Sequence, residues 1–218
     1  PVMKSNHSFD LLSCFPASAE PGKAFTSVTY SNLYFREPES RADQTRMMSI
    51  VTTGAETGYY VDVFRSRKEK GGDKMHDYFY HNLGQTLTLT AADGSDLNLQ
   101  PTEELAFAGA HLYAYSYLYD KKVAATAKDV KATFTIDMKD KDGDDIYMNL
   151  WMKGEPDREV FTALAPMTEG LSRTPNMPYN IKEQPTLTFV ARQHGEAWNR
   201  PFVSIYEPST KKEPSAIQ

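Results

Sequence analysis

Two histidines, His76 and His81, stand five residues apart in the stretch "HDYFYHNL" (76–83), with Asp77 and Tyr78 between them. Shortly before, "GYYVDVFRS" (58–66) carries Asp62 and Arg65. Imidazoles beside carboxylates can hold a metal or move a proton, and the alternative is an aromatic strand with polar ends. Strand alternation separates these readings. His76, Tyr78, Tyr80 and Asn82 fall on one face, and Asp77, Phe79, His81 and Leu83 on the other. The two imidazoles then point to opposite sides of a sheet and cannot chelate one metal, so no metal is expected. Asp62 shares a face with Tyr60 and Phe64, and a carboxylate between aromatic rings needs partners. If the two strands pair through the Gly71-Gly72 loop, Asp62 reaches His76 or His81 in a polar contact that fixes register.

A second candidate is "HLYAYSYLYD" (111–120). Read as a strand, it places Tyr113, Tyr115, Tyr117 and Tyr119 on one face at ~6.8 Å intervals, a spacing that could stack sugar rings. The acidic turn "KDKDGDD" (139–145) lacks the glycine and glutamate positions of a calcium-binding loop and reads as a solvated hairpin. Asn6-His7-Ser8 fits a glycosylation acceptor and is set aside as an accidental match. Serine nucleophile elbows, phosphate loops, paired-cysteine sites and nucleotide fingerprints do not occur.

The elements that must position these residues are strands. Period-two segments rich in Thr, Tyr, Val, Phe and Ile recur at 25–35, 45–53, 58–66, 76–83, 86–91, 112–119, 131–138, 145–153, 158–165, 185–193 and 201–208. Turn chemistry separates them at Gly71-Gly72, Asp93-Gly94, Asp142-Gly143 and His194-Gly195. No helical stripe is sustained, so the expected fold is an all-β, antiparallel two-sheet sandwich of roughly eleven strands. It is expected over 25–208, with irregular tails at 1–24 and 209–218. The stretch 166–185 reads as a long, functional loop or as an arm to another domain.

Composition excludes several classes of partner. A net charge of −5 gives no electrostatic reason to bind nucleic acid. No apolar run approaches the ~18 residues of a membrane span. Cys14 is the single cysteine, so no intramolecular disulfide is expected. The chain opens at Pro1 without a leader, which suggests a removed leader or a piece of a longer protein.

The order of several pieces resembles a known family. "TRMM" (45–48), "GYYVDVFRSR", a glycine loop, "HDYFYHNLG", "DREVFTALAP" (157–166) and "RQHGEAWNRPFVSIYEP" (192–208) resemble the C-terminal β-sheet region of the heparinase II/III-like polysaccharide lyases. The matching residues are Tyr59 or Tyr60, Asp62, Phe64, Arg65, Gly71, Gly72, His76, Asp77, Tyr78 and His81. The likeness runs over about 45–208. It implies a sandwich that follows an N-terminal helical toroid, in proteins that cleave uronic-acid polysaccharides by β-elimination in the periplasm or outside the cell. That chemistry needs a neutralised carboxylate, a base for the C5 proton and an acid for the leaving oxygen.

The chain departs from the family in two ways. It has no helical toroid, and none of its histidines (7, 76, 81, 111, 194) forms the His-x-His pair that stands near the family's zinc. The family's catalytic residues are therefore not carried over, and no cofactor is expected. The resemblance implies a supporting or substrate-lining domain without turnover of its own. Two rivals stand beside it. One is a free-standing carbohydrate-binding module using Tyr113, Tyr115, Tyr117 and Tyr119. The other is a small complete lyase using His76 or His81, Tyr78 and Arg65.

Overall fold

A computed structural model describes residues 8–16, 27–106, 109–138, 143–168 and 183–217. The described residues form thirteen strands: β1 (Asp10–Phe15), β2 (Val28–Arg36), β3 (Asp43–Thr52), β4 (Gly58–Arg67), β5 (Met75–Asn82), β6 (Thr86–Ala91), β7 (Gln100–Pro101), β8 (Tyr119–Ala125), β9 (Val130–Ile136), β10 (Ile146–Met152), β11 (Arg158–Ala165), β12 (Thr186–His194) and β13 (Ala197–Thr210). One 3-10 helix, Ala110–Tyr117, interrupts them.

The strands build two antiparallel sheets. The larger has eight strands in the order β1-β2-β3-β4-β13-β10-β9-β6, and the smaller has five in the order β5-β12-β11-β8-β7. This is the sandwich the alternating pattern predicts. Between the sheets lie Leu89, Phe134, Leu150, Phe189 and Phe202 among other buried side chains. Each such side chain contributes roughly 1.5–3 kcal/mol by leaving water. The central strand β12 is buried on both faces, because a second, smaller cluster of Leu105, Leu118, Phe161, Ala163 and Val190 covers the outside of the small sheet. Its run "LTFVA" is accordingly continuous rather than alternating.

Several expectations need correction. β4 and β5 do not pair through their glycine loop; they belong to different sheets and face each other across the core. Both strands carry aromatic inner faces, Phe64 on one and Tyr78 on the other, with ring centroids 6.2 Å apart. Facing each other buries both rings at once. Asp62 therefore meets neither histidine. It receives Arg46 through Nε (3.0 Å) and Nη2 (2.5 Å), and the Tyr78 hydroxyl at 2.7 Å.

The stretch 112–119 is not a strand, and strand β8 begins only at its last residue. β1 lies in the segment expected to be an irregular tail, and the short β7 had no sequence signal. At the other end β13 runs to Thr210, and the residues after it are held. The buried Glu207 carboxylate accepts the amides of Ala216 (2.9 Å) and Ile217 (3.1 Å) and the Ser215 hydroxyl. The glycosylation-like triplet apart from Ser8, the first part of the acidic turn, and 169–182 of the long loop lie outside the described residues.

Another buried charge ties the loops at one end. Arg158 is 2% exposed and donates to Gln193 Oε1 (3.1 Å), the Lys153 carbonyl (2.7 Å) and the Pro201 carbonyl (3.4 Å). Its guanidinium lies 4.8 Å from the Phe202 ring centre. Burial pulls its pKa down to about 10.

Candidate functional site

Where the chain crosses from β4 to β5 it leaves a cleft of about 950 Å³ at one end of the sandwich. The crossing requires two left-handed residues, Gly71 (φ 91°) and Gly72 (φ 72°), a conformation glycine adopts at no steric cost. Directly after them, Asp73 Oδ1 accepts the Lys68 amide (2.6 Å) and meets His76 Nε2 (2.6 Å). Both side chains are largely buried, and both line the cleft. The backbone amide fixes the carboxylate, and the carboxylate fixes the ring.

The facing wall comes from the small sheet. Asp77 on β5 and Arg192 on β12 are directly opposite in register. Arg192 grips the carboxylate through Nε–Oδ1 (2.7 Å) and Nη2–Oδ2 (2.8 Å), the two-pronged geometry that makes guanidinium–carboxylate pairs strong. Its Nη1 also donates to Glu104 (3.1 Å). The Asp77 hydrogen bond holds the Arg192 pKa above its ordinary value. Tyr115 of the 3-10 helix donates its hydroxyl to Asp77 Oδ2 at 2.7 Å. Burial, and then the Asp77 charge, push the Tyr115 pKa well above the ordinary tyrosine value. Tyr115→Phe removes a bond to a charged acceptor that keeps its arginine. It is expected to cost about 1–2 kcal/mol, read as a lowered denaturation midpoint with unchanged m value. No loss would show that the helix is held by packing alone.

On the other side of Tyr115 is a second, apolar hollow of about 690 Å³, walled by Phe79, His81, Tyr117, Leu118 and Pro166. Phe79 stacks on the His81 ring and meets Tyr115 edge-on. His81 Nδ1 lies 2.8 Å from the Thr188 hydroxyl.

The sequence-predicted site residues are thus divided. His76, Tyr113 and Tyr115 line the larger cleft; His81, Tyr115 and Tyr117 line the smaller hollow. Tyr119 is exposed on β8. The tyrosines do not form one flat platform, because a helix of three residues per turn sends alternate side chains in different directions. Arg65 faces the outside of the large sheet and donates to the Trp198 carbonyl. Tyr78 is 3% exposed within the core, bonded to Asp62, Ser204 and Tyr206. A trio of histidine, Tyr78 and Arg65 is therefore not assembled. Among the described residues no group of three or more His, Cys, Asp or Glu side chains could hold a metal ion.

Sequence reasoning missed Asp73 and Arg192. The signal for Arg192 was a charge inside the run "LTFVARQ", where only a paired guanidinium could be buried. Taken together, the larger cleft offers a fixed carboxylate–imidazole pair, a neutralised guanidinium and tyrosine surfaces. Such a set suits hydrogen bonding and ring contact with a polyhydroxylated ligand.

No family model matches the chain. Over 186 residues, 84% of its length, it is 33% identical to a protein of Formosa agariphila named an endo-acting ulvan lyase. The chain is related to a polysaccharide lyase. It spans about a fifth (21%) of the length of that lyase.

Proposed function

We propose that this chain is the β-sandwich region of a polysaccharide lyase. In this reading it supports the catalytic part and lines one end of the sugar-binding cleft. The observation that carries this is the asymmetry of the match, which takes in 84% of this chain but 21% of the lyase. A region of that kind is a component around which the reacting groups of the rest of the protein are arranged. The order of motifs from "TRMM" to "SIYEP" favours the heparinase II/III-like architecture, with an N-terminal helical toroid of the same polypeptide contributing the base and acid. The substrate is a uronic-acid polysaccharide of the ulvan kind, met in the periplasm or outside the cell. The isolated region has no turnover.

The runner-up is a carbohydrate-binding module. It is favoured by the two hollows that meet at Tyr115, with Tyr113 in one and Tyr117 in the other. One pair of measurements serves both readings. The chain is incubated with ulvan and with alginate, while the ultraviolet absorbance of the unsaturated uronyl product is followed. Binding is read separately by affinity electrophoresis. The expected result is retardation by ulvan, weakened in Tyr113→Ala, with flat absorbance. Absorbance growing at an enzyme's rate would overturn the supporting role. Absence of retardation would remove both the sugar-lining role and the binding module.

A further inference from the structure

Five strands cannot cover eight. The core between the sheets draws on β4, β13, β10, β9 and β6 of the large sheet; among the described residues none of its members comes from β1, β2 or β3. These three strands project as a wing beyond β5, the edge strand of the small sheet. Strand register carries the core-facing side onto the wing. Phe64 lies opposite Arg46, Arg46 opposite Leu33, and Leu33 opposite Leu11. One step along, Asp62 lies opposite Met48, and one step further Tyr60 lies opposite Ile50.

On this inner face Leu11, Met48, Ile50 and Tyr60 are 58%, 48%, 47% and 39% exposed. Met48, Ile50 and Tyr60 adjoin one another on β3 and β4, and Leu11 extends the same face to β1 beyond Leu33 of β2; apolar side chains so grouped mark an interface.

A second observation comes from β1 itself. Its segment "FDLLSCF" does not alternate, and Phe15, opposite Tyr30, faces the other side of the sheet from Leu11. Phe9, Leu12 and Phe15 are exposed as well. Apolar residues on both faces belong to a strand covered on both sides. Among the described residues β1 is the last strand of the large sheet; Asp10 and an irregularity between Leu11 and Ser13 are its edge-blunting features, and its inner face carries no charge.

We propose that this wing is the seat of the remainder of a longer lyase polypeptide. A further strand of that polypeptide pairs with the free edge of β1, and its layer covers Leu11, Met48, Ile50 and Tyr60. The inference rests on the reading of this chain as one region of a lyase. The occupant follows from length: the lyase relative has most of its sequence outside the matched part. A covalently joined segment meets the wing at a far higher effective concentration than a separate protein does.

Hydrogen exchange tests this, with peptides covering 10–15 compared between this chain alone and the full-length gene product. The outward amides of β1 are expected to exchange freely in the chain alone and at least ~100-fold more slowly in the full-length protein. Met48→Lys is expected to leave the melting temperature of the isolated chain unchanged and to lower that of the full-length protein. Equal exchange in both, or a gene product no longer than this chain, overturns the proposal. So does protection that rises with the concentration of the isolated chain, which would make a second copy the occupant. Lyase activity of the full-length protein is read separately. Activity with an unprotected β1 sinks the wing proposal and spares the lyase reading; protection without activity does the reverse.

Discussion

Asp62→Ala is expected to destabilise the sandwich by about 3–5 kcal/mol, the cost of breaking a buried ion pair from one side. Asp62 is 1% exposed and collects three donated bonds from two strands: two from Arg46 on β3, and one from Tyr78 across the core on β5. The Tyr78 hydroxyl in turn meets Tyr206 and Ser204 on β13. Removing the carboxylate leaves a guanidinium without its partner and a buried hydroxyl cluster without its anionic acceptor. Arg46 is half exposed and can turn to water, which limits the loss on that side. Tyr78 and Tyr206 cannot. Asp62→Asn keeps an acceptor for Tyr78 but turns a donor toward Arg46, and should cost less, about 2 kcal/mol. Chemical denaturation of the three proteins checks the order. A loss below ~1 kcal/mol for Asp62→Ala would mean that the aromatic packing alone joins the sheets here.

Alkaline pH is expected to unfold the protein cooperatively. Burial raises Tyr78, Tyr206 and Tyr115 well above the ordinary tyrosine value of 10.0, and raises Tyr80 to about 12. A folded pKa above the unfolded one means that the stabilisation is complete below pH 10. It is lost above that, where the unfolded chain releases protons the folded one keeps. Arg158 acts in the opposite sense. Its folded pKa of about 10 lies below its ordinary 12.5, so between those values the unfolded state holds the extra proton and stability rises with pH. Four tyrosines against one arginine leave the tyrosines dominant. At about 1.4 kcal/mol per proton and pH unit, the net loss is roughly 4 kcal/mol per unit above pH ~11. That exhausts an ordinary domain's stability within a few units. Circular dichroism and tyrosinate absorbance, followed together, are expected to show a late absorbance rise coincident with loss of sheet signal. Complete ionisation before any loss of signal would contradict it.

The sandwich was legible because nine of its strands carry period-two patterning and β12 carries a short apolar run rich in β-formers, signals that do not depend on their partners. Partner choice was not legible. Asp62 and the two histidines sit close in sequence, which suggested a hairpin, but the chain changes sheets between them. Nothing local distinguishes a strand that pairs with its neighbour from one that faces it. The tyrosine segment failed for a different reason. Tyr113, Tyr115, Tyr117 and Tyr119 alternate, but so do many polar and aromatic positions with no common face. The spacing that mattered was three: Leu112, Tyr115 and Leu118 are at least half-buried, with Tyr113 beside them, whereas Ala114, Ser116 and Tyr117 are exposed. That is the period of a 3-10 helix. It was outweighed because tyrosine favours strands and because the apolar outer face of the small sheet, which the helix covers, is visible only after folding. The site followed the same division. His76 and Tyr115 were recognisable as residue types, whereas Asp73 and Arg192 acquire meaning only from the crossing of the chain and the register of β5 on β12.

The strand order also dictates when the molecule can be completed. β13 is the last of the described strands yet sits between β4 and β10, holding the first four strands of the large sheet to the other three. β12, next to last, likewise separates β5 from β11 in the small sheet. On a ribosome the early strands therefore emerge with their eventual neighbours still unsynthesised. The two parts of each sheet wait, open-edged, until β12 and β13 are made. Such long-range closure is slow and exposes aggregation-prone edges in the interval. A chain arrested short of β13 would hold two half-sheets with no strand to join them.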